Sequence, residues 1–340
     1  MLRISANKLD SLFEAVAAKQ TLYIPADRND GEAEYKKYET GMKLTSRLNT
    51  LRSAKDFFFP QTEDIVEFKM DGKKIEINDI RQECEDFVIF GVRACDARSF
   101  TILDKVYLSE PVDSFYKNRR DHGTVVTMAC DRPAETCFCQ TFGIDPTAPE
   151  GDCACWSDGS YYYFKANTAK GQTFLDSISD LLEDGDDTAE LDKVIAKTKA
   201  VMSKLPLAGL STENFGGDKL DEYFSSDKWT ELSESCLGCG TCTFVCPTCQ
   251  CYDIKDFNTG NGIKRYRCWD SCMYSDFTKM AHGNPRLTQL ERFRQRFMHK
   301  LVYFPANNNG EFGCVGCGRC LSKCPISMNI VKVMKALEEK

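Results

Sequence analysis

Several features are scarce in this sequence of 340 residues, and each scarcity excludes a class of protein. There are three histidines, so a metal site built mainly on imidazole is not expected. No apolar run approaches the roughly 18 residues of a membrane-spanning helix, so no span is predicted. Basic residues are outnumbered by acidic ones, 44 to 51, which argues against nucleic acid as the main partner. The first residues lack the basic and apolar regions of a secretory signal, so a cytoplasmic location is expected.

Cysteine, by contrast, is abundant, with nineteen residues. An odd number without a secretory signal argues against a disulfide framework. In a reducing compartment these thiols are free to bind metal, and thiolates favour iron–sulfur clusters or zinc. The sequence therefore predicts metal chemistry based on sulfur ligands.

The cysteines are unevenly distributed along the chain. None precedes Cys84, and a dense group runs from Cys236 to Cys324 after a gap of 80 residues. We therefore predict two domains, 1–225 and 226–340. The predicted fold class is α+β, with a mixed α/β first domain followed by an α-helical, ferredoxin-like dicluster domain.

Two short apolar runs in the first domain are typical of buried strands. They span residues 86–92 and 123–129, and Cys95 and Cys130 follow them. The segment 99–108 between them has helical periodicity and could form a crossover helix. If the two strands are parallel neighbours, both cysteines lie at the carboxyl edge of the sheet, where α/β sheets bind ligands. A separate β-hairpin is predicted over 65–77, because Asp71-Gly72 supplies its turn.

One cysteine motif occurs twice in the second domain. CLGCGTCTFVCP and CVGCGRCLSKCP both follow the pattern C-x2-C-x2-C-x3-C-P, the spacing of bacterial ferredoxins that hold [4Fe–4S] clusters. Three thiolates on a tight loop bind three irons of one cluster, while the fourth has turned into the next helix and reaches the other cluster. The predicted ligands of cluster 1 are Cys236, Cys239, Cys242 and Cys324. Those of cluster 2 are Cys314, Cys317, Cys320 and Cys246.

The alternative to two iron–sulfur clusters is a pair of structural zinc sites. Zinc ribbons use C-x2-C pairs, but not this triple spacing with a fourth Cys-Pro member. Crossed ligation brings two clusters close together, so electrons can pass between them. The segment between the motifs is long and helical, and in this it resembles the α-helical dicluster domains of fumarate reductase-type iron–sulfur subunits.

Further segments resemble a known family. CPTCQCYDIKDF, RCWDSCMYSDFTKMAHGNPR and ERFRQRFMHK in the second domain, with GVRACDARSFTILDKVYLSEP and ETCFCQTFG in the first, are similar to two groups of proteins. These groups are the β subunits of cytosolic NAD(P)-linked nickel–iron hydrogenases (sulfhydrogenases) and the A subunits of anaerobic sulfite reductases. The resemblance covers residues 85–145 and 230–330.

The resemblance implies an electron-transfer subunit of a cytoplasmic, anaerobic oxidoreductase complex. Its partners would be a flavoprotein that oxidises NAD(P)H and a terminal subunit of hydrogenase or sulfite reductase type. No flavin or NAD site is expected on this chain, since no P-loop or Rossmann pattern is present. The alternative is an iron–sulfur enzyme in which an N-terminal cluster with an open site binds substrate.

The first domain contains candidates for a third [4Fe–4S] cluster. Cys95, Cys130, Cys137 and Cys139 all lie in segments that resemble the family, and the first two follow the predicted neighbouring strands. Four thiolates at one edge of a sheet would suit a cluster. The alternative is a set of buried free thiols, because cysteine also packs as a small apolar residue.

The remaining cysteines have no assigned role. Three match positions of the family and are either core thiols or ligands of another centre: Cys249, Cys251 and Cys272. Cys153 and Cys155 could replace two of the candidate ligands of the third cluster. The sequence assigns nothing to Cys84 or Cys268.

Overall fold

The computed structural model describes residues 1–79 and 84–339. The strands in these residues are β1 Leu2–Ser5, β2 Thr21–Asp27, β3 Ala33–Lys37, β4 Thr62–Asp71, β5 Lys74–Asp79, β6 Phe87–Arg93, β7 Gly123–Met128, β8 Cys153–Ser157, β9 Tyr161–Ala166, β10 Glu183–Asp184, β11 Tyr252–Asn258 and β12 Gly262–Trp269. The α-helices are α1 Leu9–Ala17, α2 Ala94–Tyr107, α3 Ser114–His122, α4 Ala169–Ser177, α5 Ala189–Met202, α6 Leu220–Phe224, α7 Lys228–Glu234, α8 Thr241–Phe244, α9 Gln289–Met298, α10 Phe304–Asn307, α11 Arg319–Lys323 and α12 Ile330–Glu338. Both helices and sheets are present, so the predicted α+β class is confirmed.

An eight-stranded sheet forms the centre of the N-terminal half, in the order β10-β1-β9-β8-β7-β6-β2-β3. Its four inner strands, β2, β6, β7 and β8, are mutually parallel. The prediction that the apolar runs 86–92 and 123–129 form buried strands is confirmed, since they make up most of β6 and all of β7. The two strands are parallel neighbours, which is the condition for Cys95 and Cys130 to share one edge of the sheet. The predicted crossover helix is part of α2.

The inner strands are buried on both faces, because apolar side chains alternate between two cores. On β6, Val88 and Phe90 face a core that α1 and α4 cover. Phe87 and Ile89 face a second core with side chains of α2 and α3. This double coverage explains why these strands read as continuous apolar runs rather than as alternating patterns.

A second, antiparallel sheet has the order β11-β12-β4-β5. The predicted hairpin over 65–77 is confirmed as β4 and β5. The hairpin of β11 and β12 was not predicted, and it inserts strands into the region expected to be helical. Because β12 pairs with β4, the sheet is built from strands on both sides of residue 225.

The C-terminal helices enclose a core of their own. Trp229 of α7, Phe293 and Phe297 of α9, and Met334 of α12 are buried in it. A π-helical segment, His299–Tyr303, continues α9 into α10. Within the described residues, no helix has the length and apolar character needed to cross a membrane.

Candidate iron–sulfur sites

The two cysteine motifs adopt the same local conformation. Gly238 and Gly316 have φ values of 64° and 60°, in the left-handed region that favours glycine. Each of these glycines donates its backbone N–H to the sulfur of the cysteine two residues earlier, at 3.5 Å. Backbone N–H groups directed at thiolate sulfur are a means of stabilising a cluster and tuning its potential. The repeated sequence thus produces a repeated loop with sulfur-directed donors.

The second motif and the end of the first motif enclose one cavity. The cysteines that line it are Cys246, Cys314, Cys317 and Cys320. This is the set predicted for cluster 2, with one thiol from the first motif and three from the second. The short helices α8 and α11, which follow the two motif loops, pack against each other. The arrangement suits a cluster ligated across the two motifs.

Of the four cysteines predicted for cluster 1, three lie together in the first motif, and the fourth, Cys324, is not joined to them by any hydrogen bond in the described residues. Cys236 and Cys242 are half-buried against the C-terminal core, and Cys239 is exposed on the same loop. The thiol of Cys324 donates to the carbonyl oxygen of Met328 at 3.3 Å. That contact does not join Cys324 to the other three cysteines, so its place in cluster 1 stays a prediction.

No group of three or more Cys, His, Asp or Glu side chains in the described parts of the chain is arranged to hold a metal ion. The four protein ligands of a [4Fe–4S] cluster bind four different irons. They surround the cluster and do not need to converge on one point. The thiols that line the cavity of cluster 2 surround it in this sense.

Two buried cations from the helix between the motifs lie beside these thiols. Arg296 donates from Nε to Cys242 Sγ at 2.9 Å and from Nη2 to the Cys242 carbonyl oxygen at 2.8 Å. Lys300 donates to Thr248 Oγ1 at 2.7 Å and to the Gly313 carbonyl oxygen at 2.8 Å. Burial alone would lower the pKa of both cations, but the nearby cysteines outweigh it and raise the pKa of each. Such cations would offset the negative charge of a thiolate cluster.

Burial raises the pKa of several of the candidate ligand thiols. Burial raises the pKa of Cys317 and Cys139 to about 12, and that of Cys130 to about 11. Cysteine binds metal as the thiolate, so each ligand must lose its proton when a cluster forms. Cluster assembly on Cys317, Cys139 and Cys130 would therefore release protons and would be favoured by higher pH.

All four N-terminal candidates line a single cavity. It lies at the carboxyl edge of β6 and β7, and its cysteines are Cys95, Cys130, Cys137, Cys139 and, from the second motif, Cys317. Arg93 shapes this edge by donating to the carbonyl oxygens of Leu48 and Ala129, at 2.8 and 3.1 Å. The structure thus brings together the thiols proposed for a third cluster.

Cys153 and Cys155 lie elsewhere, although the sequence offered them as substitutes for two of those ligands. Both are on β8, fully buried in the core that α1 and α4 cover. Cys84 is half-buried with its thiol 3.5 Å from the Glu85 carbonyl oxygen, and Cys268 is half-buried on β12. None of these four lines the cavities described above.

The N-terminal cysteine loop rests directly on the second motif. The backbone N–H of Phe138 donates to the carbonyl oxygen of Gly316 at 3.0 Å. A side chain at Gly316 would be excluded, since its Cβ would lie 2.4 Å from the Phe138 carbonyl oxygen. Asn49 also donates to the Cys317 carbonyl oxygen at 3.3 Å. Cys317 therefore lines both the cavity of the N-terminal cysteines and the cavity of cluster 2.

Sequence reasoning missed a buried ion pair at this junction. Arg319 in the second motif bonds Asp96, the residue after Cys95, and also donates from Nε to the Thr50 carbonyl oxygen at 3.0 Å. In the sequence, the one notable property of Asp96 and Arg319 is that each lies beside a candidate cysteine ligand. The pairing could not be read from spacing, because 223 residues separate the partners.

The sequence is similar to those of known proteins. Residues 235–328 match the family model of a 4Fe–4S dicluster domain. The chain is also 36% identical over 273 residues to sulfhydrogenase 2 subunit beta of Pyrococcus furiosus, an alignment that covers 78% of this chain and 79% of that protein. No solved structure matches the chain.

Proposed function

The chain belongs to the 4Fe–4S electron-transfer β subunit family that includes sulfhydrogenase 2 subunit beta, and on that premise we propose that it is the internal relay of a cytoplasmic oxidoreductase complex. Electrons would enter from a flavoprotein that oxidises NAD(P)H and leave to a terminal hydrogenase- or sulfite reductase-type subunit. The chain itself would carry clusters and bind no flavin or NAD.

The observation that carries this proposal is the continuity of the cysteine sets. Cys317 lines the cavities of both the N-terminal set and cluster 2, and α8 packs on α11 between the two motifs. Clusters held by the N-terminal set, at the cluster 2 site and at the cluster 1 site would form a row through the protein. When bound, [4Fe–4S] clusters supply one-electron transfer. The protein contributes thiolates, N–H donors to sulfur and buried cations, which position the clusters and set their potentials.

A relay chain needs a surface on which its partners can bind, and the second sheet offers one. On one of its faces, Ile263 lies opposite Phe68, Phe68 opposite Ile77, and Met70 opposite Ile75. Ile75, Ile77 and Met70 are exposed there. An apolar face of this kind commonly marks a protein–protein interface. We assign it to a subunit of the same complex that presents an apolar surface.

The relay proposal is tested with the isolated full chain under anaerobic conditions. Dithionite should bleach the visible absorbance of the clusters, whereas NADH or NADPH alone should not do so at a catalytic rate. Adding the co-purified flavoprotein should make the same clusters reducible by one of the two nucleotides. Rapid bleaching by a nucleotide without any partner would overturn the proposal. Turnover of a substrate by the isolated chain would favour the alternative, an enzyme with an open N-terminal cluster.

The docking surface is tested with two variants, each of which introduces a lysine on a different face of the second sheet. Ile77 and Phe257 are 66% and 60% exposed, and the strand register places them on opposite faces. Ile77→Lys should reduce the amount of partner that co-purifies with a tagged chain, while Phe257→Lys should not. Equal recovery of partner with both variants would move the interface to another surface.

A further inference from the structure

The helix between the two motifs carries a row of buried hydrogen-bond donors that have no acceptor. In residues 1–79 and 84–339, the buried side-chain nitrogen atoms without a hydrogen-bond partner are Gln289 Nε2, Arg292 Nε and Arg296 Nη1. All three residues belong to α9, at positions i, i+3 and i+7. This spacing places them on one face of the helix. One face of α9 therefore offers N–H groups that no described side chain or backbone group accepts.

The loop of the first motif contacts this face of α9 at two points. A Cβ atom at Gly238 would lie 3.0 Å from Gln289 Oε1 and 3.4 Å from Gln289 Nε2. Gly238 is also the residue whose backbone N–H donates to Cys236 Sγ. At the other end of the loop, Arg296 donates from Nε to Cys242 Sγ at 2.9 Å. The loop that carries three predicted ligands of cluster 1 thus lies against the face of α9 that carries the free donors.

Arg292 sets the orientation of the Gln289 amide. Its Nη2 donates to Gln289 Oε1 at 3.4 Å, and its Nη1 donates to the carbonyl oxygens of Arg286 and Leu287 at 3.1 and 2.9 Å. Arginine has donors only, so the oxygen must be the end of the amide that faces it. The end left without a partner is then Nε2, which can only donate. Gln289 therefore presents a buried N–H donor beside the loop of the first motif.

The same face carries two positive charges that have no counter-charge among their hydrogen-bond partners. Within the described parts of the chain, Arg292 and Arg296 bond carbonyl oxygens, the Gln289 amide oxygen and the Cys242 sulfur, and no carboxylate. Arg296 is 2% exposed, and burying an unpaired guanidinium group is costly. A cluster on cysteine thiolates is an anion whose sulfur atoms accept hydrogen bonds. It would supply both the negative charge and the acceptors that this face lacks.

We propose that Gln289 donates a hydrogen bond from Nε2 to a sulfur atom of cluster 1 and thereby raises the reduction potential of that cluster. Reduction adds negative charge to the cluster, and an N–H donor stabilises the reduced form more than the oxidised form. Arg292 is a positioning residue that holds the amide, and Arg296 contributes a second free donor through Nη1. The inference rests on the proposed relay function, because it concerns how one cluster of the relay is tuned. Water molecules on these donors, the simpler interpretation, would leave Gln289 without a contact to the cluster.

The first test detects this hydrogen bond in the wild-type chain. Full-length protein with nitrogen-15 in its glutamine side-chain amides is purified anaerobically, reduced with dithionite and examined by pulsed electron paramagnetic resonance. A nitrogen-15 coupling to one reduced cluster is expected, and it should disappear in Gln289→Met. Gln295→Met is the matched control and should keep the coupling, since Gln295 lies six residues further along α9 and so on another face. Absence of any such coupling in the reduced wild-type chain would overturn the proposal, as would its persistence in Gln289→Met.

The second test measures the reduction potentials of the variants. In Gln289→Met, the oxidised-to-reduced ratio of one cluster at a fixed potential should rise roughly threefold to tenfold, a shift of about 30 to 60 mV toward more negative potential. Gln289→Glu keeps an oxygen that accepts from Arg292 but lacks the amide N–H and adds negative charge, so its shift should be larger. The capping box of Thr288 and Glu291 at the start of α9 does not use the Gln289 side chain, so the helix should form in both variants. Potentials equal to those of the wild type in both variants would contradict the proposal.

Failure of this inference can be distinguished from failure of the relay function. If the potentials do not change and the clusters are still reduced through the flavoprotein, Gln289 has no role in tuning and the relay function stands. A wild-type chain without clusters, or one that a nucleotide reduces rapidly without a partner, would remove the relay function and this inference with it.

Discussion

Arg319 bonds both carboxylate oxygens of Asp96, at 2.5 and 2.7 Å, in the interior of the protein. The side chains are 3% and 1% exposed, so the pair is almost free of solvent. Asp96 follows Cys95 of the N-terminal set, and Arg319 lies between Cys317 and Cys320 of the second motif. The pair therefore fixes two cysteine sets relative to each other.

Removing one partner of this pair should be strongly destabilising. Arg319→Met leaves the Asp96 carboxylate buried without a counter-charge, which typically costs about 3–5 kcal/mol. Lys323→Met is a matched control on the same helix, since its ion pair with Glu32 is much more exposed and should contribute less than about 1 kcal/mol. Urea unfolding of the two variants measures the difference. A similar small loss for both would mean that the pair does not hold the junction together.

Arg296 should raise the reduction potential of the cluster bound to Cys242. Reduction adds negative charge to the cluster, and the Arg296 guanidinium with its N–H donated to Cys242 Sγ stabilises that charge. Arg296→Met should therefore make the potential more negative, by about 40 mV if about 1 kcal/mol of differential stabilisation is lost. A redox titration followed by electron paramagnetic resonance measures it.

Arg294 provides a control for the change in reduction potential expected in Arg296→Met. It lies on the same helix but donates to the Phe224 carbonyl oxygen at 3.1 Å, with its guanidinium over the Phe224 ring. Arg294→Met should leave every potential unchanged. An unchanged potential in Arg296→Met would show that the N–H···S bond does not tune the cluster.

The N-terminal set should account for one cluster of its own. Replacing Cys137 and Cys139 together with serine should remove about four irons per chain, because a cluster with two ligands fewer is not retained. Cys84→Ser is the control, since Cys84 lies outside the cavity of this set. Wild-type iron content in a folded double variant would mean that these four thiols are free.

His299 should make the protein sensitive to mild acid. Burial lowers its pKa from 6.5 to about 4, and Lys300, Arg286 and Arg296 contribute to the same shift. Between pH 6.5 and 4 the unfolded chain binds a proton that the folded chain does not, so stability is lost as the pH falls through this range. At pH 4.5 this loss is on the order of 2 kcal/mol.

His299→Gln removes the titrating group and should flatten this part of the stability curve. Urea unfolding of both chains at pH 7 and pH 4.5 gives the comparison. The wild type should lose more stability than the variant on acidification. Parallel losses in both chains would show that His299 is already protonated, or solvated, in the folded state.

Local patterns in the sequence predicted much of this fold and of its sites. The runs that became β6 and β7 were recognisable because strands buried on both faces are apolar throughout. The sequence placed Cys95 and Cys130 at one edge only on the condition that these strands are parallel neighbours, which the structure supplies. The motif spacing selected eight cysteines, of which Cys246, Cys314, Cys317 and Cys320 line one cavity. In each case the relevant information lies within a few residues.

The features that were missed depend on distant partners or on weak patterns. Lys55 donates to the carbonyl oxygen of Cys249, 194 residues away in sequence, and Arg319 bonds Asp96, 223 residues away. No spacing rule connects Lys55 or Arg319 to these partners. The hairpin of β11 and β12 is largely exposed and polar, so its strands lack a clear alternating pattern. Its turn, Thr259 to Gly262, was the signal that could have revealed it.

The most direct test of the whole account is the iron and acid-labile sulfide content of the anaerobically purified chain, combined with Mössbauer spectroscopy. The two motifs alone require at least about eight irons and eight sulfides per chain, all in [4Fe–4S] form, and the N-terminal set about four more. A folded chain that is colourless and free of iron, or that holds zinc in their place, would contradict it.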